Sequence, residues 1–365
     1  MHIECPKEKL EYALRKAERM TGKNITLPIL QCVLLEAKKS VLTIKATNLD
    51  VGIELTLPVK VISEGMVAVS GTILYNFISN TSDKNISLEL KDTNLKAYTK
   101  HSQSLIKTFP ADDFPSIPKV QADNTFTFNI QSFIKGLRSV SYAASVSSIR
   151  PVLSSVLLQS EEDTVIFAAT DSFRLAEKKV AVKKHKDFER ILIPFKNIAE
   201  LTHALEDIGE DIEVNLDENQ IAFSHNDMYV TSRVIDGTFP DYKQIIPKDA
   251  KTEVIVLKQD LISAMKMSNI FSDKFNQVTF SIDPKGKKFT ITTKNMDVGE
   301  NVNSLDAVSK GEEITLSFNY KYIIDCFQSI DSDSVALSFF DTNKPMIIQG
   351  VSDKSFLYLV MSMNK

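Results

Sequence analysis

Apolar positions along this chain follow two alternating rhythms, and the alternation itself repeats. Leu10, Ala13, Leu14, Ala17 and Met20 recur at the spacing of one helical face, which predicts an amphipathic helix over 6–20. Phe133, Ile134, Leu137 and Val140 give the same rhythm over 131–145, with Asn129 placed to cap its start. A third such helix is expected over 258–271. Each is followed by β-branched runs, such as Val41-Leu42-Thr43-Ile44 and Val165-Ile166-Phe167, that read as strands. Shorter helices are expected near 72–80, 195–206 and 319–330. They lead into alternating strands such as Ile212-Glu213-Val214-Asn215-Leu216.

The pattern runs three times through the chain. TLPILQCVLLEAKKSVLTIKATNLDVGIEL (26–55) is echoed by IRPVLSSVLLQSEEDTVIFAATDSFRLAE (149–177) and, more faintly, by VTFSIDPKGKKFTITTKNMDVGE (278–300). Thr47 recurs as Thr170, a step of 123 residues (170 − 47), and Leu49 recurs as Met296, a step of 247 (296 − 49). Solenoid repeats span only ~20–50 residues, so this period is that of a whole domain. Two proline-punctuated stretches, FPADDFPSIP (109–118) and FPDYKQIIP (239–247), read as extended connectors, because proline supplies no N–H to a helix or a central strand. The expectation is an α+β protein of three tandem domains, 1–118, 119–247 and 248–365. Equivalent modules joined by equivalent linkers make heterologous contacts, which close into a ring or continue as a filament.

Composition narrows the function. With 43% hydrophobic and 25% charged residues among 365, each domain can build its own core. The start shows no signal-peptide pattern and no apolar run is long enough to span a membrane. Three widely separated cysteines, Cys5, Cys32 and Cys326, read as reduced thiols of a cytoplasmic protein, two of them in the core. The net charge of −4 argues against a generally basic nucleic-acid binder. The six helical segments, with Asp207 just beyond 195–206 included, nevertheless carry eleven basic and eight acidic side chains, a local excess of positive charge. No GxxxxGK[ST] or GxGxxG loop is present, and no HExxH or CxxC, so neither cofactor nor metal is expected. Ser172 lacks a nucleophile elbow, and the sequence gives no support for catalysis.

The motifs then become specific. Thr26-Leu27-Pro28-Ile29-Leu30, Arg150-Pro151-Val152-Leu153, Ala169-Thr170-Asp171-Ser172-Phe173-Arg174-Leu175-Ala176, Phe239-Pro240-Asp241-Tyr242 and Tyr358-Leu359-Val360-Met361-Ser362-Met363 occur in order and at spacing. Together they resemble the bacterial sliding-clamp family, the β subunits of DNA polymerase III, over the whole chain. The resemblance implies three clamp domains whose helices line a hole and whose antiparallel sheets lie outside. It implies a homodimer closed head to tail around duplex DNA, non-catalytic, that tethers the replicative polymerase and other clamp-binding proteins. Sequence-independent phosphate contacts suit such sliding. A separate loader would open the ring.

The resemblance also implies particular residues. Arg15, Lys16, Arg19, Lys23, Asn24, Lys135, Arg138, Arg150, Lys196 and Lys266 would face DNA. A groove for short apolar peptides would use Leu153, Thr170, Ser172, Phe173, Arg174, Leu175, Pro240, Gln244, Ile245, Asn319, Tyr322, Val360, Met361 and Met363. Arg174 and Asn319 would hold peptide carbonyls, while Leu153, Leu175 and Val360 read equally as core. Lys96, Lys100, Ile106 and Lys107 would meet Ile270, Phe271 and Glu300 across the dimer seam. The chain departs from the family's usual small residue and histidine at Ser172 and Phe173, and from its usual tail after Met361. Two other readings stay open: a monomeric peptide-binding scaffold of the same fold, and a hydrolase using Asp171 and His203.

Overall fold

The computed structural model describes residues 1–22, 27–120, 124–182, 188, 190–341 and 343–363. Among the described residues six α-helices form: α1 Lys7–Arg19, α2 Gly71–Ser79, α3 Ile130–Val140, α4 Phe195–Leu205, α5 Lys258–Ile270 and α6 Tyr320–Cys326. Each follows one strand and leads into three, so a strand–helix–three-strand motif occurs six times, twice per domain. Two short extra strands, Lys60–Ser63 and Ala307–Gly311, pair with the opening strands of the first and third domains. The helical rhythm of α1 is explained directly, because Leu10, Ala13, Leu14, Ala17 and Met20 are all buried. Two helices of the sequence reading, 131–145 and 319–330, are shorter than expected and end in 3-10 turns, Ser141–Ala143 after α3 and Phe327–Ser329 after α6.

The chain divides into two compact units. The first joins Met1–Gln131 to Lys196–Val234 and holds one thirteen-stranded antiparallel sheet. Within it, strand Val51–Pro58 of the first domain pairs with Met228–Arg233 of the second, Val51 opposite Ser232 and Leu55 opposite Met228. The second unit runs from Ser132 through strands Ser155–Glu161, Thr164–Thr170, Arg174–Ala181 and Ile191–Pro194, and includes everything described from Ile235 onward. It holds a nine-stranded and a four-stranded sheet. Here strand Arg174–Ala181 of the second domain pairs with Phe356–Val360 of the third, Arg174 opposite Val360 and Lys178 opposite Phe356. The two joints are the same joint, moved one domain along. Backbone ladders therefore run across the domain boundaries, where the sequence suggested only extended connectors.

The second connector is also less free than its prolines imply. Phe239 and Tyr242 are buried in a cluster with Leu157, Ala168, Leu175, Leu192 and Leu359. The Tyr242 hydroxyl donates to Glu177 Oε2 at 2.6 Å. In α3 a glycine makes close packing possible: a Cβ at Gly136 would lie 2.5 Å from the Phe167 ring. Phe133, one turn earlier, meets the same ring edge to face, with centroids 5.7 Å apart.

All three cysteines are buried and unpaired, one more than the sequence placed in the core. Burial pushes the Cys5 thiol up to about 12 and the Cys32 thiol up to about 11, and it raises Cys326 well above the ordinary thiol value. An aromatic disulfide reagent at about pH 8 should therefore leave the folded chain unmodified and react with three thiols in guanidinium chloride. A thiol that reacts at the mixing rate in the native chain would contradict this burial. No helix among the described residues is long and apolar enough to cross a membrane.

Candidate functional site

The repeated sequence motif is, first of all, a turn. At Thr170–Arg174 the Thr170 hydroxyl donates to the Arg174 carbonyl (2.7 Å) and accepts from the Ser172 N–H (3.2 Å). Asp171 Oδ1 accepts from the N–H groups of Phe173 and Arg174 (2.9 and 3.0 Å). At Thr47–Val51 the Thr47 hydroxyl donates to Val51 and accepts from Leu49, and Asn48 Oδ1 accepts from Asp50 and Val51. In the third copy Asn295 Oδ1 accepts from Asp297 at 2.9 Å. Leu49 and Ser172 both hold a left-handed φ, 76° and 79°. Side-chain acceptors that cap three or four backbone atoms explain why threonine and Asn or Asp recur here.

Several residues expected for the groove belong to the second unit, with this turn among them. Phe173 projects outward at 60% exposure, Ile245 and Pro240 are exposed, and Met361 and Met363 are half-buried. The tail is tied into place by backbone bonds: Met361 N–H donates to Phe173 O and Met363 N–H to Ser317 O, both at 2.8 Å. Gln244 is exposed and bonds Asp241, and Tyr322 is half-buried. The Asn319 side chain accepts from the Lys321 N–H at 2.9 Å and so caps α6, leaving its NH₂ end for a ligand carbonyl.

Several expected groove residues have another role. Leu175 and Val360 are fully buried, because the Arg174–Ala181/Phe356–Val360 ladder puts both strands inside a sheet covered on both faces. Thr170 is buried and spends its hydroxyl on the turn. Leu153 is at the edge of burial. Arg174 is not free to hold peptide carbonyls. Its side chain is 11% exposed, Nε donates to Asp171 Oδ2 at 3.0 Å, and one terminal nitrogen donates to Asp325 Oδ2 at 2.6 Å. Its guanidinium also lies 4.5 Å from the centre of the Tyr322 ring. Asp325, on α6, is a member of this site that the sequence reading missed. Its only signal was an acidic residue on the helix after Asn319.

The carboxylate of the hydrolase reading is taken up locally, and its imidazole is engaged through one nitrogen. Asp171 builds the turn and binds Arg174; His203 Nδ1 lies 2.9 Å from Glu206, just past the end of α4, and its Nε2 is buried without a hydrogen-bond partner.

Comparison with known proteins decides the family. Models of the DNA polymerase III beta subunit match three consecutive stretches: the N-terminal domain over residues 1–118, the central domain over 127–241 and the C-terminal domain over 243–364. The chain belongs to the DNA polymerase III beta subunit family. It is 26% identical over 370 residues to the beta sliding clamp of Synechococcus elongatus, covering 99% of this chain and 98% of the relative. The beta sliding clamp of Synechocystis is 28% identical over 386 residues, with the same coverage. The DNA polymerase III beta subunit of Thermotoga maritima matches with a TM-score of 0.94 and 26% identity, over 100% of this chain and 99% of that one. The sliding clamp of Bacillus subtilis, at 22% identity, shares the fold with a TM-score of 0.95 over the same extents. The chain is thus built of three tandem clamp domains. Its family comprises the sliding clamps of DNA replication, processivity factors that catalyse no reaction.

The basic residues that the family suggests for DNA are in varied settings. Arg15, Arg19, Lys135, Arg138, Arg150, Lys196 and Lys266 are exposed. Three of them bind carboxylates of their own unit: Arg15 to Asp207 at 2.8 Å, Lys196 to Asp50 at 2.5 Å, and Lys135 to Asp331. Exposed pairs of this kind are worth ~0–1 kcal/mol, so phosphate can compete for them. Lys16 must be removed from the set. It is 1% exposed, and its Nζ donates to the Ala204 carbonyl at 2.6 Å. It lies on the buried face of α1, one residue after exposed Arg15. Lys23 and Asn24 lie outside the described residues.

The dimer-seam residues need one correction. Lys100, Lys107, Ile270 and Glu300 are exposed, and Lys96 and Phe271 are half-buried. Ile106 is buried in the core of its own domain, whereas its neighbour Leu105 on that strand is exposed. Alternation along a strand reverses the face at every residue, so a one-residue error selects the wrong side.

Proposed function

We propose that two copies of this chain close head to tail around duplex DNA, with clamp domains 1–118, 119–247 and 248–365, and tether the replicative polymerase in the cytoplasm. Arg15, Arg19, Lys135, Arg138, Arg150, Lys196 and Lys266 supply sequence-independent phosphate contacts. The surface around Phe173, Ile245, Met361 and Met363 receives short apolar peptides of the polymerase, the clamp loader and other partners.

The observation that carries this reading is the repeated joint. Val51–Pro58 finds the last strand of the next domain, and so does Arg174–Ala181. The third equivalent strand, Gly299–Leu305, is a sheet edge among the described residues. The last strand of the first domain, Gln103–Phe109, is likewise paired over 103–107 only with Asn94–Tyr98. A second copy brings these two edges together. The register follows in this reading from ladder positions: the Lys294–Glu300 pair corresponds to Thr170–Leu175, and Leu95–Ile106 corresponds to Ile221–Ser232. Glu300 then lies opposite the partner's Leu105, on the face that also carries Lys96 and Lys107. Unpaired edges invite pairing of this kind, and the charges on the two edges are complementary.

The decisive experiment loads the protein on nicked circular DNA and then linearises the circle. A ring stays on the circle and leaves through the ends once they are cut. Retention unchanged by cutting would show ordinary binding and overturn the reading. Arg15→Glu with Arg19→Glu should shorten residence on the circle and flatten its salt dependence.

A further inference from the structure

The first unit contains a cavity of about 980 Å³ built around the Asn48–Leu49–Asp50 turn. This is the first copy of the turn that carries the peptide groove in the second unit. Its far wall is α4, as α6 is the wall beside Arg174. The two helices correspond residue by residue. Phe195 and Tyr320 both begin their helix, so Glu200 stands where Asp325 stands, five residues in (200 − 195 and 325 − 320). The burial patterns agree: Ile198, Leu201 and Thr202 are buried, as are Ile323, Cys326 and Phe327.

One partner is missing from this correspondence. In the second unit the acid on the helix, Asp325, is bound by the guanidinium of Arg174 at 2.6 Å. The residue 123 positions before Arg174 is Val51, which has no charge (174 − 51). Glu200 Oε2 is accordingly buried with no hydrogen-bond partner. The other acids at the cavity are already engaged: Glu18 Oε1 accepts from the Thr72 hydroxyl and Asp50 binds Lys196. Arg19 also lines the cavity but lies beyond ion-pair distance of Glu200. A covered carboxylate oxygen without a donor costs free energy that a charged donor would recover.

We infer that this cavity is a second docking site for a partner peptide, one that presents a basic side chain to Glu200 beside an apolar side chain on Leu49. The incoming guanidinium or ammonium takes the place that Arg174 fills in the second unit, and Leu49, half exposed, supplies the apolar contact. The inference rests on reading the surface around Phe173 as a peptide groove, since the two sites are equivalent by repeat. Their chemistry differs. The groove in the second unit neutralises its acid internally and selects apolar peptides, whereas this cavity leaves its acid for the ligand.

The test uses the full-length chain with methyl-labelled leucine and methionine. The probe is an acetylated, amidated tripeptide of two leucines and one arginine, and the control replaces arginine by neutral citrulline. Leu49 methyl shifts report the cavity, and Met361 methyl shifts report the other groove. The arginine peptide should bind at the Leu49 site about tenfold more tightly than the citrulline peptide, with Glu200→Gln abolishing that preference and leaving the Met361 response unchanged. Equal affinities for the two peptides, or a preference that survives Glu200→Gln, overturns the inference. A silent Met361 with a responsive, Glu200-dependent Leu49 supports the cavity and removes the groove reading instead.

Discussion

Leu105→Asp should leave each chain folded and separate the dimer into single copies. In the isolated chain Leu105 is 67% exposed, so its loss costs the monomer little. In the proposed ring it is covered by the partner's strand Gly299–Leu305, directly opposite Glu300. The substitution removes a buried leucine and sets two carboxylates face to face, about 2 kcal/mol at each seam. A closed pair has two identical seams, so the dissociation constant should rise on the order of a thousandfold. Sedimentation velocity reads the change in mass, and retention on circular DNA should vanish with it. Adding Glu300→Lys to the same chain replaces the repulsion by an attraction and should recover much of the dimer. A Leu105→Asp protein that still sediments as a dimer would rule out this register, and a dimer lost but not rescued by Glu300→Lys would rule out the Glu300 contact.

Arg174→Ala should loosen the joint between the second and third domains. The guanidinium is the shared partner of Asp171, which shapes the turn, and Asp325, which belongs to α6. Its removal strands two carboxylates beside the Tyr322 and Tyr142 rings. Breaking a fully buried pair costs ~3–5 kcal/mol; Asp325 is 39% exposed, and the expected loss is therefore nearer ~2–3 kcal/mol. Amide exchange of strand Phe356–Val360, which pairs with Arg174–Ala181, is the direct readout. Its protection should fall by a factor of ~30–150 if it opens with this joint. Asp325→Asn in the Arg174→Ala background should cost less than it does alone, because the remaining carboxylates no longer repel. Native protection in Arg174→Ala would show that the cluster is a surface ornament of the groove and no part of what holds the joint. Peptide affinity should fall together with protection, since Met361 N–H is anchored on Phe173.

Much of this was legible in the sequence because it is local. The five apolar residues of α1 fall on one face, and a helix hides that face whatever it packs against. The Asn/Asp motif recurs three times, with threonine before it in two copies, because each turn satisfies itself within five residues. Arg174 was found as a residue of the site, although its role was taken to be ligand contact. The partner that redefined it, Asp325, is 151 positions away, and no local pattern ties the two together.

The misreadings share one cause. Leu175 and Val360 look like groove floor in a motif, yet both are fully buried, Leu175 in a cluster with Leu157, Phe239, Tyr242 and Leu359. Lys16 looks like one more cation on a basic helix, but the α1 stripe turns it inward, where the Ala204 carbonyl, 188 positions away, and the Asp207 carboxylate receive its ammonium. Glu200 is, in the sequence alone, one more acidic residue on a helical segment. Only superposing one repeat on another shows it as an acid whose arginine is absent.

The sequence by itself determined the tandem triplication, the helices and strands of each copy, the capped turns and the family, because each is written in spacing or in contacts between near neighbours. Tertiary structure alone decided which motif residues are exposed, which charges are already matched, and that ladders cross the domain boundaries. Those outcomes depend on long-range pairing, in which one residue of register exchanges inside for outside and a distant carboxylate takes up a donor that would otherwise be free.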